Sequence, residues 1–421
     1  MNCSVSRSIL SGSITCPPNK SYTHRAIFLA SLAGQDSRVT NALVSGDTIS
    51  TIRACQSLGA SMDIQGDTIM IHDSINPSGE ILIDAANSGT TIRLASAISA
   101  AYPCTVQLTG DASLQKRPMQ PLLDSLEMAG ARCASTDGCA PLRISGPMSG
   151  GTISVQGNLS SQFVSALMMA APLTSRGLNV NIQGEMVSKP YLDMSLATMR
   201  HFGVGVRTIL PYKMYEVQPQ MYRPISFTVP LDYSSMALLL SAAVLCGSDL
   251  EIRGCMDELP QGDEVFIDIL DMLGVDVRAE NDATRVSVDD KLNGGTFNLG
   301  NSPDLLPPLA ILALNTSKPI TITDTSHARL KETDRISIIA SELAKLGVGI
   351  KENSDGMVLY PSDSLHGATL DSHDDHRLFM AFCIAAMYVG DCTVTGAESA
   401  AISYPNFIDE IRGIGAKIDI T

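Results

Sequence analysis

Apolar and polar positions follow one pattern that recurs along the chain at intervals of about seventy residues. Each time, a short turn rich in Asn, Ser, Asp or Pro leads into a run of Ala, Leu, Ile and Met. Because these runs are apolar on nearly all sides, they predict buried helices whose first residues cap free backbone N–H groups. The six copies begin at Asn19, Asn87, Asn158, Asp232, Ser302 and Asp374.

A second pattern recurs with the same period. An amphipathic stretch ends in glycine, the usual helix stop, and continues into a short strand-like segment. Two independent patterns at one spacing predict six similar units, each reading strand, helix, strand, helix, strand, strand. The six glycines are Gly59, Gly130, Gly203, Gly274, Gly347 and Gly415.

The repeat count predicts an α/β fold with two domains of three units each, with the buried helices inside and sheets around them. We place the chain crossings near Ser13 and Ile225. One domain then spans 14–225, and the other spans 1–13 and 226–421, completed by the N-terminal strand. If the buried helices of a domain are parallel, their N-termini converge on a surface rich in N–H groups, which suits phosphates and carboxylates. Two such domains facing each other would enclose an anionic ligand in the cleft between them.

Composition narrows the class of protein. The chain has 421 residues, is 44% hydrophobic and carries a formal net charge of -15, which does not attract nucleic acid or an anionic membrane. We see neither a signal peptide nor an apolar run of membrane-spanning length. Ten scattered cysteines without a CxxC pair favour a reduced cytoplasmic protein and do not indicate a zinc site. An acidic protein that binds anions must concentrate its few basic residues at the site.

The N-terminal half contains polar helix starts next to cations. Taken one at a time, each motif is at least as typical of a solvated helix end, a surface charge or an ordinary cap as it is of an anion-binding site. Several copies together favour an anion site. The candidates are Lys20, Ser21 and Arg25; Gly89 and Thr90 with Arg93; Arg117; Ser160, Ser161 and Gln162; and Ser188 with Tyr191.

The C-terminal half offers groups for acid–base chemistry. Asp304 opens an apolar helix and is either a cap or a general base. The segments 331–335 (KETDR) and 374–377 (DDHR) are dense in charge. A solvated helix start explains the first, but burying the second without partners would be costly, so a polar cleft is favoured. Dinucleotide, P-loop and GxSxG motifs are missing from the sequence, and no spacing supports a metal site.

In order and content these motifs resemble the enolpyruvyl transferases, and within them the EPSP synthase (3-phosphoshikimate 1-carboxyvinyltransferase) family. The resemblance covers essentially the whole chain and is carried by PPNKSYTHR, NSGTTIR, QKRP, SSQ, SKPY, KETDR, DDHR and SYPNF. It implies two inside-out α/β domains, each of three βαβαββ repeats, with the active site in a cleft that closes on substrate. It also implies a cytoplasmic enzyme of chorismate and aromatic amino acid biosynthesis.

The resemblance implies roles for individual residues. Asp304, Lys331, Glu332 and Lys20 would be catalytic. The contacts to shikimate 3-phosphate would be Lys20, Ser21, Arg25, Ser160, Ser161, Gln162, Ser188, Tyr191, Asp304, His327 and Lys331. The contacts to phosphoenolpyruvate would be Lys20, Gly89, Thr90, Arg117, Gln162, Arg335, His376 and Arg377.

The implied reaction is addition and elimination. Asp304 takes the proton of the acceptor 5-hydroxyl, the oxygen attacks C2 of phosphoenolpyruvate, Lys331 or Glu332 protonates C3, and phosphate leaves. No metal or organic cofactor is expected, the partners are these two small molecules, and we expect a monomer. The chain departs from the family at Ile402, where many members have Lys, and at Leu94 and His327.

Two rival functions are weighed. The sister transferase that uses UDP-N-acetylglucosamine carries a reactive Cys in the loop before an Arg-Pro motif, and the matching loop 110–118 has none. A non-catalytic binding protein on the same scaffold is the second rival, because a fold does not fix a function. The intact set of Lys20, Asp304, Lys331, Glu332 and Arg377 argues against it.

Overall fold

Strands and helices alternate along the chain in a computed structural model that describes residues 1–280, 283–288 and 291–421. The strands are β1 (Asn2–Ser6), β2 (Leu10–Thr15), β3 (Arg38–Thr40), β4 (Ser61–Gln65), β5 (Thr68–Asp73), β6 (Gly79–Asp84), β7 (Cys104–Thr109), β8 (Arg132–Thr136), β9 (Cys139–Ser145), β10 (Gly151–Gln156), β11 (Leu178–Gln183), β12 (Arg207–Leu210), β13 (Met214–Val217), β14 (Ser226–Thr228), β15 (Gly247–Arg253), β16 (Asp276–Glu280), β17 (Ala283–Ser287), β18 (Gly295–Asn298), β19 (Ile320–Thr323), β20 (Gly349–Asn353), β21 (Gly356–Tyr360), β22 (Thr369–Asp371), β23 (Cys392–Thr395) and β24 (Lys417–Ile420). The helices are α1 (Lys20–Ala33), α2 (Gly46–Ser57), α3 (Gly89–Ala100), α4 (Gln120–Met128), α5 (Ser161–Ala170), α6 (Lys189–His201), α7 (Tyr233–Cys246), α8 (Phe266–Met272), α9 (Leu306–Leu312), α10 (Arg335–Ala344), α11 (His376–Val389) and α12 (Phe407–Gly413).

The odd-numbered helices are the predicted buried ones, and each begins at or shortly after its predicted polar turn. In α7 every residue after Tyr233 is buried, and α11 is buried from His376 to Met387. Helix α9 is short and continues as 3-10 turns at both ends. Pro307 and Pro308 lie in its first turn, where proline is tolerated because those N–H groups have no partner within a helix.

The even-numbered helices are the predicted amphipathic ones. The glycine that we predicted to stop each of them has a positive φ, between 81° and 113°. That backbone conformation costs glycine little and other residues more, so the sequence stops the helix at that point and turns the chain into the next strand.

The described strands form six sheets of four strands each, and all six have one topology. In the sheet β6-β7-β9-β8, the first pair is parallel and the other two pairs are antiparallel. The sheets β10-β11-β13-β12 and β18-β19-β21-β20 repeat this order. Each of these sheets consists of the four strands of one repeat, which is the βαβαββ unit predicted from the spacing.

In the other three sheets one position is taken by a strand from elsewhere in the chain. Strand β14 pairs in parallel with β3 of the first repeat, and β2 pairs in parallel with β15 of the fourth. Strand β1 pairs antiparallel with both β23 and β24 of the last repeat. The first and fourth repeats therefore exchange their first strands, and β1 completes the sixth sheet.

The described chain divides into two compact units. The N-terminal unit comprises Pro18–Pro230 and Glu258–Gln261, and the C-terminal unit comprises Met1–Pro17, Leu231–Asp257 and Gly262–Thr421. The boundaries lie slightly after Ser13 and Ile225 because the exchanged strands β2 and β14 each stay with the sheet that they join. The segment 258–261 lies with the N-terminal unit, where the Tyr22 hydroxyl donates to the Pro260 carbonyl at 2.8 Å.

Each unit has its own apolar core, formed by the odd-numbered helices and the inner faces of its sheets. A fully buried Leu, Ile or Phe contributes about 1.5–3 kcal/mol relative to an exposed one, so helices such as α7 and α11 are major contributors to stability. Among the described helices, none has both the length and the apolar character needed to cross a bilayer.

We predict that alanine substitutions at two glycines near the C-terminus differ in their effect on the free energy of unfolding. Gly415 has φ 113°, and a Cβ there would lie 2.6 Å from the Ile9 carbonyl oxygen, whereas a Cβ on Gly413 meets nothing within 4 Å. Gly415→Ala should lower the free energy of unfolding by about 1–3 kcal/mol. Gly413→Ala, at the end of α12, should raise it by about 0.5 kcal/mol or leave it unchanged. Urea denaturation followed by circular dichroism measures both, and equal effects would contradict the analysis.

Candidate functional site

The start of α1 holds a lysine beside free backbone N–H groups. The Asn19 side chain caps the helix by accepting from the Tyr22 N–H at 2.8 Å. Lys20 follows, and its Nζ lies 2.8 Å from a carboxylate oxygen of Asp47 in the first turn of α2. The two side chains are 14% and 11% exposed. This ion pair fixes the lysine at the helix end, where an anion is favoured.

Arg25 joins α1 to α6. Its Nε donates to Ser195 Oγ at 2.7 Å, Nη1 to the Ser21 carbonyl at 2.9 Å and Nη2 to the Tyr191 carbonyl at 3.0 Å. The side chain is 1% exposed, and this burial lowers the pKa of Arg25 to about 10. Its charge is therefore held by neutral oxygens, which leaves the surrounding region favourable to an anion.

The start of α3 places two arginines next to a glycine. A Cβ on Gly89 would lie 3.0 Å from Arg117 Nη1 and 3.5 Å from Arg93 Nη1. Arg117 Nη2 donates to Asn87 Oδ1 at 2.9 Å. A larger residue at Gly89 would crowd both guanidinium groups, so glycine here permits the cations to approach the helix N-terminus. Arg93 is an addition to the predicted contacts.

Gln162 connects α5 to α3. Its Nε2 donates to Thr90 Oγ1 at 3.0 Å, and its Oε1 accepts from Arg93. The Arg93 guanidinium also lies 5.1 Å from the centre of the Phe163 ring, which is a cation–π geometry. Ser160 caps α5 by accepting from the Gln162 N–H at 3.3 Å. The amide of Gln162 is thus oriented by contacts from both helices.

The remaining predicted residues of the N-terminal unit lie at the starts of α5 and α6. Ser161 is buried at the first position of α5. Ser188 precedes α6 in the left-handed conformation, with φ 52°, and Tyr191 lies in the first turn of that helix. The Tyr191 carbonyl accepts from Arg25. The structure therefore brings the predicted residues of this half together at the starts of α1, α3, α5 and α6, as a group that we call the N-terminal cluster.

In the C-terminal unit three cations converge on Asp304, which lies in the 3-10 turn before α9. Its Oδ1 accepts from Arg335 Nη1 at 2.8 Å and lies 3.7 Å from Lys331 Nζ. Its Oδ2 lies 3.1 Å from Arg377 Nη2. The Asp304 side chain is 13% exposed. These contacts fix the position of both carboxylate oxygens.

Arg335 is the centre of this group, which we call the C-terminal cluster. Besides Asp304 it binds Glu332 Oε2 at 2.8 Å and, through Nε, Asp375 Oδ2 at 2.8 Å. Burial opposes its charge, but Asp375, Glu332 and Asp304 together raise the pKa of Arg335. Arg335 is 1% exposed and engages carboxylates with all three nitrogens, so its predicted contact to phosphoenolpyruvate stays a prediction.

Two histidines belong to the same region. His327 lies in the 3-10 segment Ser326–Leu330, and burial, with a smaller effect of Lys331, lowers its pKa to about 4. At neutral pH His327 is therefore uncharged and can serve as a hydrogen-bonding group. His376 is the first residue of α11 and is 1% exposed.

Sequence reasoning left several residues of these clusters out of the predicted set. Asp47 and Asp263 stand in segments that read as ordinary helix starts, so no sequence signal distinguished them. Arg93 was named as an anion-site candidate in NSGTTIR and Asp375 only as part of DDHR, and neither was assigned to a substrate or to catalysis. Asp375 is fully buried and caps α11, accepting from the Arg377 N–H at 3.0 Å.

Of the three departures from the family, His327 lies in the region of the C-terminal cluster and the other two lie in ordinary helical segments. Ile402 ends the 3-10 segment Ala397–Ile402, and Leu94 is buried in α3. Among the described residues, no group of three or more His, Cys, Asp or Glu side chains is placed to hold a metal ion.

Asp263 should make stability depend on pH. Burial, reinforced by Asp304, raises the pKa of Asp263 to about 7. Between about pH 4 and pH 7 the unfolded chain releases this proton and the folded protein retains it, so the contribution of Asp263 to stability falls as pH rises. Asp263→Asn removes this titration. Its stability relative to wild type should therefore increase across that interval, by on the order of 3 kcal/mol, and level off above pH 7.

Urea denaturation at a series of pH values measures this difference. Asp271→Asn is the control, because it removes an exposed carboxylate from the neighbouring helix α8. A difference between Asp263→Asn and wild type that does not change with pH would contradict the prediction.

Comparisons with known proteins agree with the resemblance stated from the motifs. Residues 6–411 match the sequence profile of EPSP synthase (3-phosphoshikimate 1-carboxyvinyltransferase). A 3-phosphoshikimate 1-carboxyvinyltransferase of Nitrosopumilus maritimus is 56% identical over 423 residues, covering 99% of each chain. One of Methanothermobacter thermautotrophicus is 38% identical over 419 residues, covering 98% of each.

Solved structures agree as well. An EPSP synthase from Acinetobacter baumannii superposes with a TM-score of 0.83 at 25% identity, covering 100% of this chain and 99% of that one. The enolpyruvyl transferase NikO from Streptomyces tendae gives 0.79 at 18% identity, covering 100% and 98%, and shows the fold alone. The predicted α/β fold is thereby confirmed, and the chain belongs to the EPSP synthase family.

Proposed function

We propose that the N-terminal cluster and the C-terminal cluster each supply residues for the reaction that this transferase shares with its family. In that reaction the carboxyvinyl group of phosphoenolpyruvate passes to the 5-hydroxyl of shikimate 3-phosphate. The products are 5-enolpyruvylshikimate 3-phosphate and phosphate, in the pathway to chorismate and the aromatic amino acids. The proposal rests chiefly on one observation. The carboxylate of Asp304 is held in place by Arg335, Arg377 and Lys331.

The N-terminal cluster suits the anionic parts of both substrates. Helices α1, α3 and α5 present their first N–H groups, and Lys20, Arg25, Arg93 and Arg117 add positive charge beside them. Hydroxyl and amide groups at the starts of α5 and α6 give direction to the hydrogen bonds. We assign to shikimate 3-phosphate the residues Lys20, Ser21, Arg25, Ser160, Ser161, Gln162, Ser188 and Tyr191. We assign to phosphoenolpyruvate the residues Lys20, Gly89, Thr90, Arg117 and Gln162.

The C-terminal cluster suits proton transfer. We assign Asp304 as the base that takes the proton of the 5-hydroxyl while its oxygen forms a bond to C2 of phosphoenolpyruvate. Lys331 or Glu332 then delivers a proton to C3. When the C2–O bond to phosphate breaks, the double bond re-forms and the proton added to C3 or an equivalent one is lost. His327 would bind the acceptor, and Arg335, His376 and Arg377 would bind phosphoenolpyruvate.

The charge pattern supports this division of tasks. Lys331 lies at 3.7 Å from Asp304, farther than Arg335 at 2.8 Å, so the lysine is the cation less firmly held by that carboxylate. A loosely held ammonium group is better able to move a proton than a guanidinium, which stays charged throughout. Arg335 and Arg377 thus orient the base, and Lys331 and Glu332 remain as proton carriers.

We further propose that the chain acts as a cytoplasmic monomer. Strands β1, β2 and β14 complete the sheets that would otherwise lack a strand, and all three come from the same chain. Among the strands that the structure describes, every position of the four-stranded pattern is therefore filled from within the chain.

Asp304→Asn should abolish most of the activity. Purified protein is given phosphoenolpyruvate with either shikimate 3-phosphate or UDP-N-acetylglucosamine, and phosphate release is measured. We expect release only with shikimate 3-phosphate, and a fall in kcat of about 100-fold or more in Asp304→Asn, as for loss of a general base. Asp363→Asn is the matched control, because this carboxylate of the same unit is 90% exposed.

Three outcomes would reject parts of this proposal. Release with the nucleotide sugar alone would assign the chain to the sister reaction. Release with neither acceptor from folded protein would favour a binding protein on this scaffold. Full activity of Asp304→Asn with shikimate 3-phosphate would leave the reaction intact and remove Asp304 as its base.

Loss of the Arg117 side chain should weaken the binding of phosphoenolpyruvate and leave the binding of shikimate 3-phosphate unchanged. Arg117→Met removes one of the two guanidinium groups beside Gly89, so the KM for phosphoenolpyruvate should rise by about 10-fold or more, as expected when a charge-assisted hydrogen bond is lost. The KM for shikimate 3-phosphate should stay unchanged. Arg143→Met is the control, since that arginine pairs with Glu80 on the surface of the same unit, with 46% of its side chain exposed. An equal rise in both KM values would contradict the assignment.

A further inference from the structure

We infer that a buried chain of hydrogen bonds from His24 through Thr51 and Thr91 to Ser88 positions the start of α3, and with it the phosphoenolpyruvate contacts. This inference rests on the proposed function, because it takes Gly89 and Thr90 as contacts to that substrate. The four residues of the chain are not assigned to substrate binding or catalysis, and we call them the positioning chain.

The positioning chain connects three helices. His24 Nδ1 on α1 lies 2.6 Å from Thr51 Oγ1 on α2, and Thr51 Oγ1 lies 2.6 Å from Thr91 Oγ1 on α3. Thr91 Oγ1 then donates to Ser88 Oγ at 2.8 Å, and the Thr91 N–H donates to the same oxygen at 3.2 Å. His24, Thr51, Thr91 and Ser88 are all 0% exposed.

The bonds have a consistent direction. Because the Thr91 hydroxyl donates to Ser88, its oxygen accepts from the Thr51 hydroxyl, and the Thr51 oxygen must accept from His24. His24 therefore carries a proton on Nδ1, as the tautomer protonated there does. Burial lowers the pKa of His24 well below its ordinary value, and Lys20 and Arg25 on the same helix act in the same direction.

The position of Ser88 explains why the chain acts on the site. Ser88 is the cap of α3, and the next two residues are Gly89 and Thr90. Gly89 lies against the two arginines, and Thr90 accepts from Gln162. A shift of the cap would displace these contacts together, whereas Ser21 and Tyr191, which we assign to shikimate 3-phosphate, are held by the separate bonds of Arg25.

Thr51 also lies on the helix that holds Lys20. Helix α2 carries Asp47, the ion-pair partner of Lys20, one turn before Thr51. The positioning chain thus ties together α1 and α2, which place the lysine, and α3, which places the glycine and threonine. A buried polar chain with every link satisfied fixes one arrangement of its helices, because a broken link leaves polar groups unpaired.

The experiment compares Thr51→Val with Thr51→Ser. Valine keeps the shape of threonine but removes the hydroxyl that connects α1 to α3, whereas serine keeps the hydroxyl. We expect Thr51→Val to raise the KM for phosphoenolpyruvate by about fivefold, the effect of one lost hydrogen bond. The KM for shikimate 3-phosphate should rise less, because only Lys20 and Gln162 among its assigned contacts are linked to the positioning chain. The kcat should stay near the wild-type value, and Thr51→Ser should behave as wild type.

Thr198→Val is the matched control for general destabilisation. Thr198 is also 0% exposed in the N-terminal unit, but its hydroxyl donates at 2.7 Å to the Met194 carbonyl of its own helix, α6. Thr198→Val should lower the thermal stability as Thr51→Val does and leave the KM for phosphoenolpyruvate unchanged. An unchanged KM in Thr51→Val, or an equal rise in Thr198→Val, would overturn the inference.

His24 provides a second test. The Nδ2 of asparagine can occupy the place of His24 Nδ1 and donate to Thr51, so His24→Asn should keep the wild-type KM for phosphoenolpyruvate. His24→Leu should raise it as Thr51→Val does. A reversed order of these two variants would overturn the inference.

The histidine tautomer distinguishes failure of this inference from failure of the proposed function. Nitrogen NMR of histidine-labelled protein reports the tautomer of His24 without any turnover, with His24→Asn identifying its signals. We expect the form protonated on Nδ1 in wild type and its loss in Thr51→Val. If the wild-type protein releases no phosphate, the proposed function fails. The inference is then tested by the dissociation constant of phosphoenolpyruvate, measured by calorimetry on the same variants in place of KM. The form protonated on Nε2 would overturn the positioning chain itself.

Discussion

A helix that is apolar on all sides can offer polar partners only at its ends, and the rest of this structure depends on that constraint. Three such helices fill each unit, so the sheets cover their sides and the side chains of the caps gather at their starts. Asn19, Ser88, Ser160 and Asp375 each satisfy N–H groups there. The fold therefore needs polar residues at the helix starts and tolerates charge there. The residues of the proposed site lie at or near these helix starts.

Two arginines are equally buried, but their pKa values are shifted in opposite directions. Arg25 and Arg335 are each 1% exposed. Neutral oxygens surround Arg25 and burial lowers its pKa, whereas Asp375, Glu332 and Asp304 raise that of Arg335. The N-terminal cluster therefore keeps positive charge available for anions. In the C-terminal cluster cations and carboxylates alternate, which suits the transfer of protons.

Sequence reasoning reached the repeat, the helix starts and the helix stops because each depends on local chemistry. A glycine with positive φ ends a helix whatever surrounds it, and an Asn, Ser or Asp cap satisfies N–H groups of its own helix. The exchange of β2 and β14 could not be predicted from the sequence. The partner of a strand depends on contacts throughout the fold, and the two strands look alike in sequence. From the sequence, the opening strand was placed with the C-terminal domain, but the pairing of β14 with β3 of the first repeat was not predicted.

The candidate site was predictable to the same extent. Residues within recognisable motifs, such as Gln162 and Asp304, could be named as candidates from the sequence, but the partners that hold them could not. Asp47 and Thr51 lie in an ordinary amphipathic helix, and their importance comes from α1 and α3 packing against it. Such contacts are long-range, so they appear only when the helices are in place.

Asp375 shows why fold and site are hard to separate in this family. Its carboxylate caps α11, accepts from Thr333 and neutralises Arg335, which in turn orients Asp304. Removing one partner of a buried ion pair costs about 3–5 kcal/mol, because the other charge stays buried without compensation. A helix cap thus also holds the proposed base in place. Because caps and charged side chains meet at the starts of the buried helices, a single residue here serves both the stability of the unit and the proposed geometry of the reaction.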